Sequence, residues 1–298
     1  MAKTHWAIIF VTFLISCISL AILIVSICTS YWIVASAKHQ SATRDSEVHY
    51  GLFSGSLSKY VLSSGSNYDL TITCDYGEGA CIYSCQQSEN ARQDELRRIL
   101  NKEPVLTCPT ARNAARFLRS SDAGKAMFDG VDIQNDNGTI MQKQGNDQPD
   151  NEQYIISGYW ASTVTFISFS IIFTTFSAIL SIVNVIFNPV ELIFNIFGLY
   201  VWNALSATSM ILVLILWGVL FDTSLQYNIA ITDTLQSPTP YSSDGLATMG
   251  YSCWIIFAPL TFCVVNISLL LFRKYLIEKR APPPTITVER NDYTIMLY

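Results

Sequence analysis

The chain has 298 residues, half of them hydrophobic and 14% charged, with a formal net charge of -5. This composition excludes a disordered polypeptide, and the even spread of charge over loops and tails leaves no basic stripe for nucleic acid. Residues 7–34, 154–190, 192–221 and 250–272 contain no Asp, Glu, Lys, Arg or His. A hydrocarbon core about 30 Å thick needs about 20 apolar residues in helical form, so each stretch is long enough to cross it. The expected protein is integral to a membrane, with lipid as its first partner.

The predicted organisation is a cytosolic N-terminus (1–6), a first span (7–34), a large extracellular loop (35–157) and a second span (158–187). A short cytosolic turn (188–191), a third span (192–221), a second extracellular loop (222–249), a fourth span (250–272) and a cytosolic tail (273–298) follow. Orientation rests on the short segments, because Lys and Arg near span ends stay in the cytosol. The tail carries Arg273, Lys274, Lys279, Arg280 and Arg290, whereas the gap between the third and fourth spans carries Asp222, Asp233 and Asp244 without Lys or Arg. The expected location is the plasma membrane, with both termini cytosolic. Ala35-Ser36-Ala37 fits the small-x-small pattern of a signal-peptidase site. The uncharged run before it, however, exceeds the roughly 7–15 residues of a secretory core, which favours a retained span.

The first span ends at Tyr31-Trp32, where amphipathic rings are expected at headgroup level. Val48 to Gly55 reads as a strand and turn, and Leu70 to Cys74 as a second strand rich in β-branched residues. From Ser88 the period changes: Leu96, Ile99 and Leu100 recur at helical spacing, with Asp94 and Arg98 four apart. A second amphipathic helix is predicted from Thr110 to Ser121, burying Ala114, Phe117 and Leu118 and leaving Arg112, Arg116 and Arg119 solvated. Asp129 to Gln153 reads as a flexible tether. The Asn188-Pro189-Val190-Glu191 connection is short enough to force spans two and three into a hairpin, and Pro259 is expected to kink span four. Ala281-Pro282-Pro283-Pro284 is a stiff spacer before the end of the chain.

Cys74, Cys81, Cys85 and Cys108 lie in the translocated loop, where disulfides are the expected state; three pairings are open. A four-cysteine zinc site is the sharper alternative, but it would require thiolates to persist in an oxidising compartment. Cys17, Cys28, Cys253 and Cys263 fall in spans and read as small packing residues. Asn137-Gly138-Thr139 is an external glycosylation sequon, whereas Asn266-Ile267-Ser268 sits inside a span. The three histidines, His5, His39 and His49, lie outside the spans, and no metalloprotease or intramembrane aspartate motif is present. No catalytic, metal or cofactor site is expected, and the protein reads as a non-enzyme. The polar span residues Asn184, Asn195, Asn203 and Asn266 are expected to bond between helices rather than to line a pore.

Trp32, then Gly51-Leu52-Phe53, then extracellular cysteines resembles the claudin superfamily pattern. Several motifs narrow the resemblance to the clarins. Tyr50-Gly51-Leu52-Phe53-x-Gly55 is similar to their first-loop motif, and Pro189-x-Glu191 with Gly198-Leu199-Tyr200 to their entry into span three. Trp254-Ile255-Ile256-Phe257 with Asn266, and the hydrophobic end Met296-Leu297-Tyr298, are similar again. The segment from Gln86 to Gln153 departs from the pattern by its length. The resemblance implies an all-α transmembrane four-helix bundle, left-handed, with a small extracellular β-sheet. It also implies that Trp32, Gly51, Leu52 and Phe53 seat the sheet, and that two of Cys74, Cys81 and Cys85 clamp it. Further implications are non-enzymatic membrane and actin organisation in cell projections of sensory cells or neurites, and an extracellular adhesion partner. An auxiliary subunit of a channel or transporter is the alternative. Met296, Leu297 and Tyr298 place apolar side chains at a free carboxylate, as a strand-adding ligand of a cytosolic PDZ scaffold requires.

Overall fold

The computed structural model describes residues 2–38, 44–61, 64–101, 108, 154–187, 196–227 and 245–280. Helix α1 covers Ala2–Cys28, and strands β1 (Ile33–Ala37), β2 (Ser46–Tyr50), β3 (Ser54–Val61), β4 (Ser64–Asp75) and β5 (Ala80–Ser84) follow. Next come α2 (Glu89–Leu100), β6 (Ile155–Ile156), α3 (Ser157–Ile186), α4 (Ile196–Thr223) and a 3₁₀ turn (Leu225–Tyr227). The described chain closes with β7 (Ala247–Met249), a single turn α5 (Tyr251–Trp254) and α6 (Phe257–Arg280).

Four described segments are long and apolar enough to cross a membrane: Trp6–Cys28, Ser157–Ile186, Ile196–Thr223 and Tyr251–Lys279. Their packing inverts that of a water-soluble bundle. Small polar side chains such as Ser16, Ser170, Thr174, Ser177, Ser181 and Ser206 face inward and are at most 2% exposed, while Phe169, Ile172, Phe176, Ile179, Ile211 and Ile215 face out. Lipid gives apolar side chains no reason to turn inward, so close packing of small residues and hydrogen bonds between helices hold such a bundle. The four helices close a ring in which α3 packs on α1 and α4, and α6 on α4 and α1.

At one end of the bundle lies an antiparallel half-barrel of seven strands in the order β6-β5-β4-β3-β2-β1-β7. Six strands come from the segment between α1 and α3; β7 comes from the segment before α5 and pairs Ile33, Val34 and Ala35 with Met249, Thr248 and Ala247. Strands β1 and β2 alternate buried and more exposed positions, as half-buried strands should. Helix α2 is capped by Ser88, whose Oγ accepts from the Ala91 amide at 3.3 Å, and covers β4 and β5. Its buried Leu96 and Ile99 meet Ala80 and Ile82, and its buried Glu95 carboxylate accepts the Ser84 hydroxyl.

Several expectations need correction. The uncharged run 7–34 is not all helix: α1 ends at Cys28, and Ile33 and Val34 open β1, where β-branched side chains suit a pleated strand. The small-x-small triplet Ala35-Ser36-Ala37 lies within that strand, with both alanines buried. The sheet also takes in β7, so the segment between α4 and α5 contributes a strand to it. Pro259 does not bend a continuous helix, because the break precedes it between α5 and α6. Pro259 occupies the first turn of α6, and the Ile255 carbonyl that a residue there would have bonded accepts from the Ala258 amide at 3.1 Å. The expected helix from Thr110 to Ser121, the tether from Asp129 to Gln153 and the turn 188–191 lie outside the described residues.

Candidate functional site at the junction of sheet and bundle

The candidate site lies where the sheet meets the helices. At the end of α1 the chain turns sharply, bringing Trp32 back under its own helix. The ring is fully buried, its Nε1 donates to the Ser26 carbonyl at 2.8 Å, and it meets Trp217 of α4 edge to face at 4.9 Å. Trp32 is therefore not a headgroup anchor. That outward place is taken by Tyr31, whose ring stacks on His49 at 4.1 Å and on Tyr251 at 5.2 Å.

The backbone of Trp32 is held on both sides, accepting from the Gly250 amide at 2.8 Å and donating to the Tyr50 carbonyl at 3.1 Å. A Cβ on Gly250 would collide with the Tyr31 carbonyl, and one on Gly51 would meet the Thr29 carbonyl and lie 2.8 Å from the Ser30 Cα. Both positions demand glycine because backbone approaches backbone. Leu52 is fully buried, and its carbonyl accepts Trp160 Nε1 of α3 at 2.9 Å; Phe53, 44% exposed, lies edge-on to the same indole at 6.2 Å. Tyr50 and Tyr83 pack ring against ring at 4.4 Å, and the Tyr83 hydroxyl donates to the Gly51 carbonyl. Burial in this apolar junction raises both phenols well above their ordinary range, keeping them neutral donors. Trp32, Gly51, Leu52 and Phe53 thus converge on one place with α1, α3 and α4. Tyr50, the first residue of the same motif, joins them, and Tyr83, Trp160, Trp217 and Gly250, which no sequence motif marked, complete the site. The Gly-aromatic pairs next to span boundaries were the signal that could have found them.

Two disulfides hold the sheet. Cys74 pairs with Cys81, its direct cross-strand neighbour in β4 and β5, and Cys85 pairs with Cys108. Cys253 and Cys263 are buried thiols, Cys17 is half-buried, and Cys28 is exposed at the end of α1, so it is not a core packing residue. Among the described residues, no group of three or more His, Cys, Asp or Glu side chains could hold a metal. Asn137 and the Met296, Leu297 and Tyr298 end lie outside the described residues.

Within the bundle a polar node joins all four spans. Asn266 Nδ2 of α6 donates to Ser16 Oγ of α1 at 3.1 Å and to Asn203 Oδ1 of α4 at 3.2 Å. Asn203 Nδ2 in turn donates to Ser177 Oγ of α3 at 2.7 Å. Asn184 bonds the Leu180 carbonyl of its own helix, and Asn195 lies outside the described residues. Asn266 itself, the first residue of the second sequon, is buried in this node.

The fold and junction define a four-span membrane protein bearing a disulfide-linked antiparallel sheet, an architecture consistent with the claudin-like tetraspans. Comparison with protein-family models finds no match, and comparison with curated proteins finds none either.

Proposed function

We propose that this protein is a non-enzymatic, clarin-like organiser of the plasma membrane, coupling an extracellular adhesive surface to actin-linked scaffolds in the cytosol. The observation that carries the reading is the rigid junction. Buried rings, backbone pairing and two indole donors tie the sheet to three spans at once, so a partner bound to the sheet is fixed in position relative to the helices. The bundle interior supports a scaffold role, because Ser16, Ser177, Asn203 and Asn266 bond one helix to the next. The basic tail supports cytosolic termini, and Met296, Leu297 and Tyr298 supply the PDZ ligand. Sensory cells and neurites are the proposed setting, by the clarin resemblance alone.

Removing the protein from cells that express it tests this reading. Disturbed actin or junction morphology with unchanged ionic currents is the expected result. Altered currents, with co-purification of a pore-forming subunit and normal morphology, would make it an auxiliary channel subunit instead.

A further inference from the structure

At the end of the bundle away from the sheet, α4 and α6 present two polar groups that their surroundings leave unanswered. The Tyr200 hydroxyl and Arg273 Nε are both buried from solvent, and neither has a hydrogen-bond partner among the described residues. The two side chains are close enough to interact electrostatically. Tyr200 packs against the cluster of Leu180, Leu199 and Leu270, and Leu270 lies about one turn of α6 before Arg273. The neighbouring lysines of α6 are engaged: Lys274 lies 3.7 Å from Glu278, and Lys279 sits over the Tyr275 ring at 5.9 Å. Among the described residues of this group, Arg273 Nε is the cationic nitrogen buried without a hydrogen-bond partner. Beside the pair, Phe197, Val201 and Phe272 expose apolar side chains to the lipid.

The geometry points to a binding site for the phosphate of an anionic phospholipid, taken from the leaflet at the sheet-distal end. A guanidinium N–H and a phenol O–H both donate, and a phosphate oxygen set between them can accept from both. The guanidinium presents a fork suited to phosphate oxygens, and the acyl chains would run along Phe197, Val201 and Phe272. The net positive charge of the residues from Arg273 to Arg280, four basic against Glu278, favours anionic over zwitterionic headgroups. This site rests on the four-span architecture and not on the scaffold role, so either can fail without the other.

The test is native mass spectrometry and thermal unfolding of the full chain in nanodiscs of phosphatidylcholine, with or without phosphatidylserine. Co-retention of phosphatidylserine and a raised Tm are expected for the wild type. Arg273→Gln should weaken retention at least about tenfold, Tyr200→Phe should weaken it less, and Lys274→Gln should leave it near wild type. Inorganic phosphate added to phosphatidylcholine discs should not reproduce the stabilisation, which would assign the site to lipid. Equal retention by wild type and Arg273→Gln would overturn the proposal. So would an equal loss of Tm in both disc types for Arg273→Gln, which would make the guanidinium's role one of folding and not of lipid binding.

Discussion

The indole of Trp32, at the end of the first span, meets that of Trp217, in the third, edge to face at 71°, and both rings are fully buried. The contact ties the start of the sheet to a helix almost two hundred residues away in the chain. Trp32→Ala should cost about 3–5 kcal/mol, and Trp32→Phe about 1–2 kcal/mol by losing the bond to the Ser26 carbonyl. Thermal unfolding in nanodiscs checks the order of the two.

The two disulfides should contribute unequally. Their partners are separated by 7 and 23 residues, so chain entropy assigns about 2 kcal/mol to Cys74–Cys81 and about 3 kcal/mol to Cys85–Cys108. Peptide mapping without reduction should recover those two linked pairs, and paired Cys→Ser variants should unfold in the corresponding order.

The four spans were legible because absence of charge over a bilayer's length is a strong signal, and so was α2, from the spacing of Leu96 and Ile99 behind Ser88. Strands β1 and β7 were not. Ile33 and Val34 continue an uncharged run, and in three residues of β7 no alternation can develop; what makes them strands is pairing with each other across the chain. The junction shows the same limit. Trp32 beside Tyr31 reads as one of two interfacial rings, and only the turn after Cys28 decides that one goes inside and the other out.

Asn266 should behave as the hub of the bundle. Asn266→Ala removes donors to both Ser16 and Asn203 and should destabilise by about 1–2 kcal/mol. A double-mutant cycle with Asn203→Ala should show coupling, because the two amides share a bond.

Lys59 on β3 is 3% exposed, and burial pushes its ammonium down to about 8 from the usual 10.5. Between those two values the unfolded chain holds the proton that the folded chain has released. Stability should therefore rise with pH across that window, and the cost of burying the charge, roughly 3 kcal/mol at most, is felt in full below it. Lys59→Met should lose that pH dependence, as unfolding midpoints from pH 7 to 10 would show.

Proximity labelling from a tag on the N-terminus, with Met296, Leu297 and Tyr298 intact and with Leu297 and Tyr298 both changed to Gly, tests the scaffold reading most directly. The account expects PDZ and actin-linked proteins to be labelled with the intact segment and lost with the changed one. An unchanged set of labelled proteins, or a set dominated by pore-forming subunits, would contradict it.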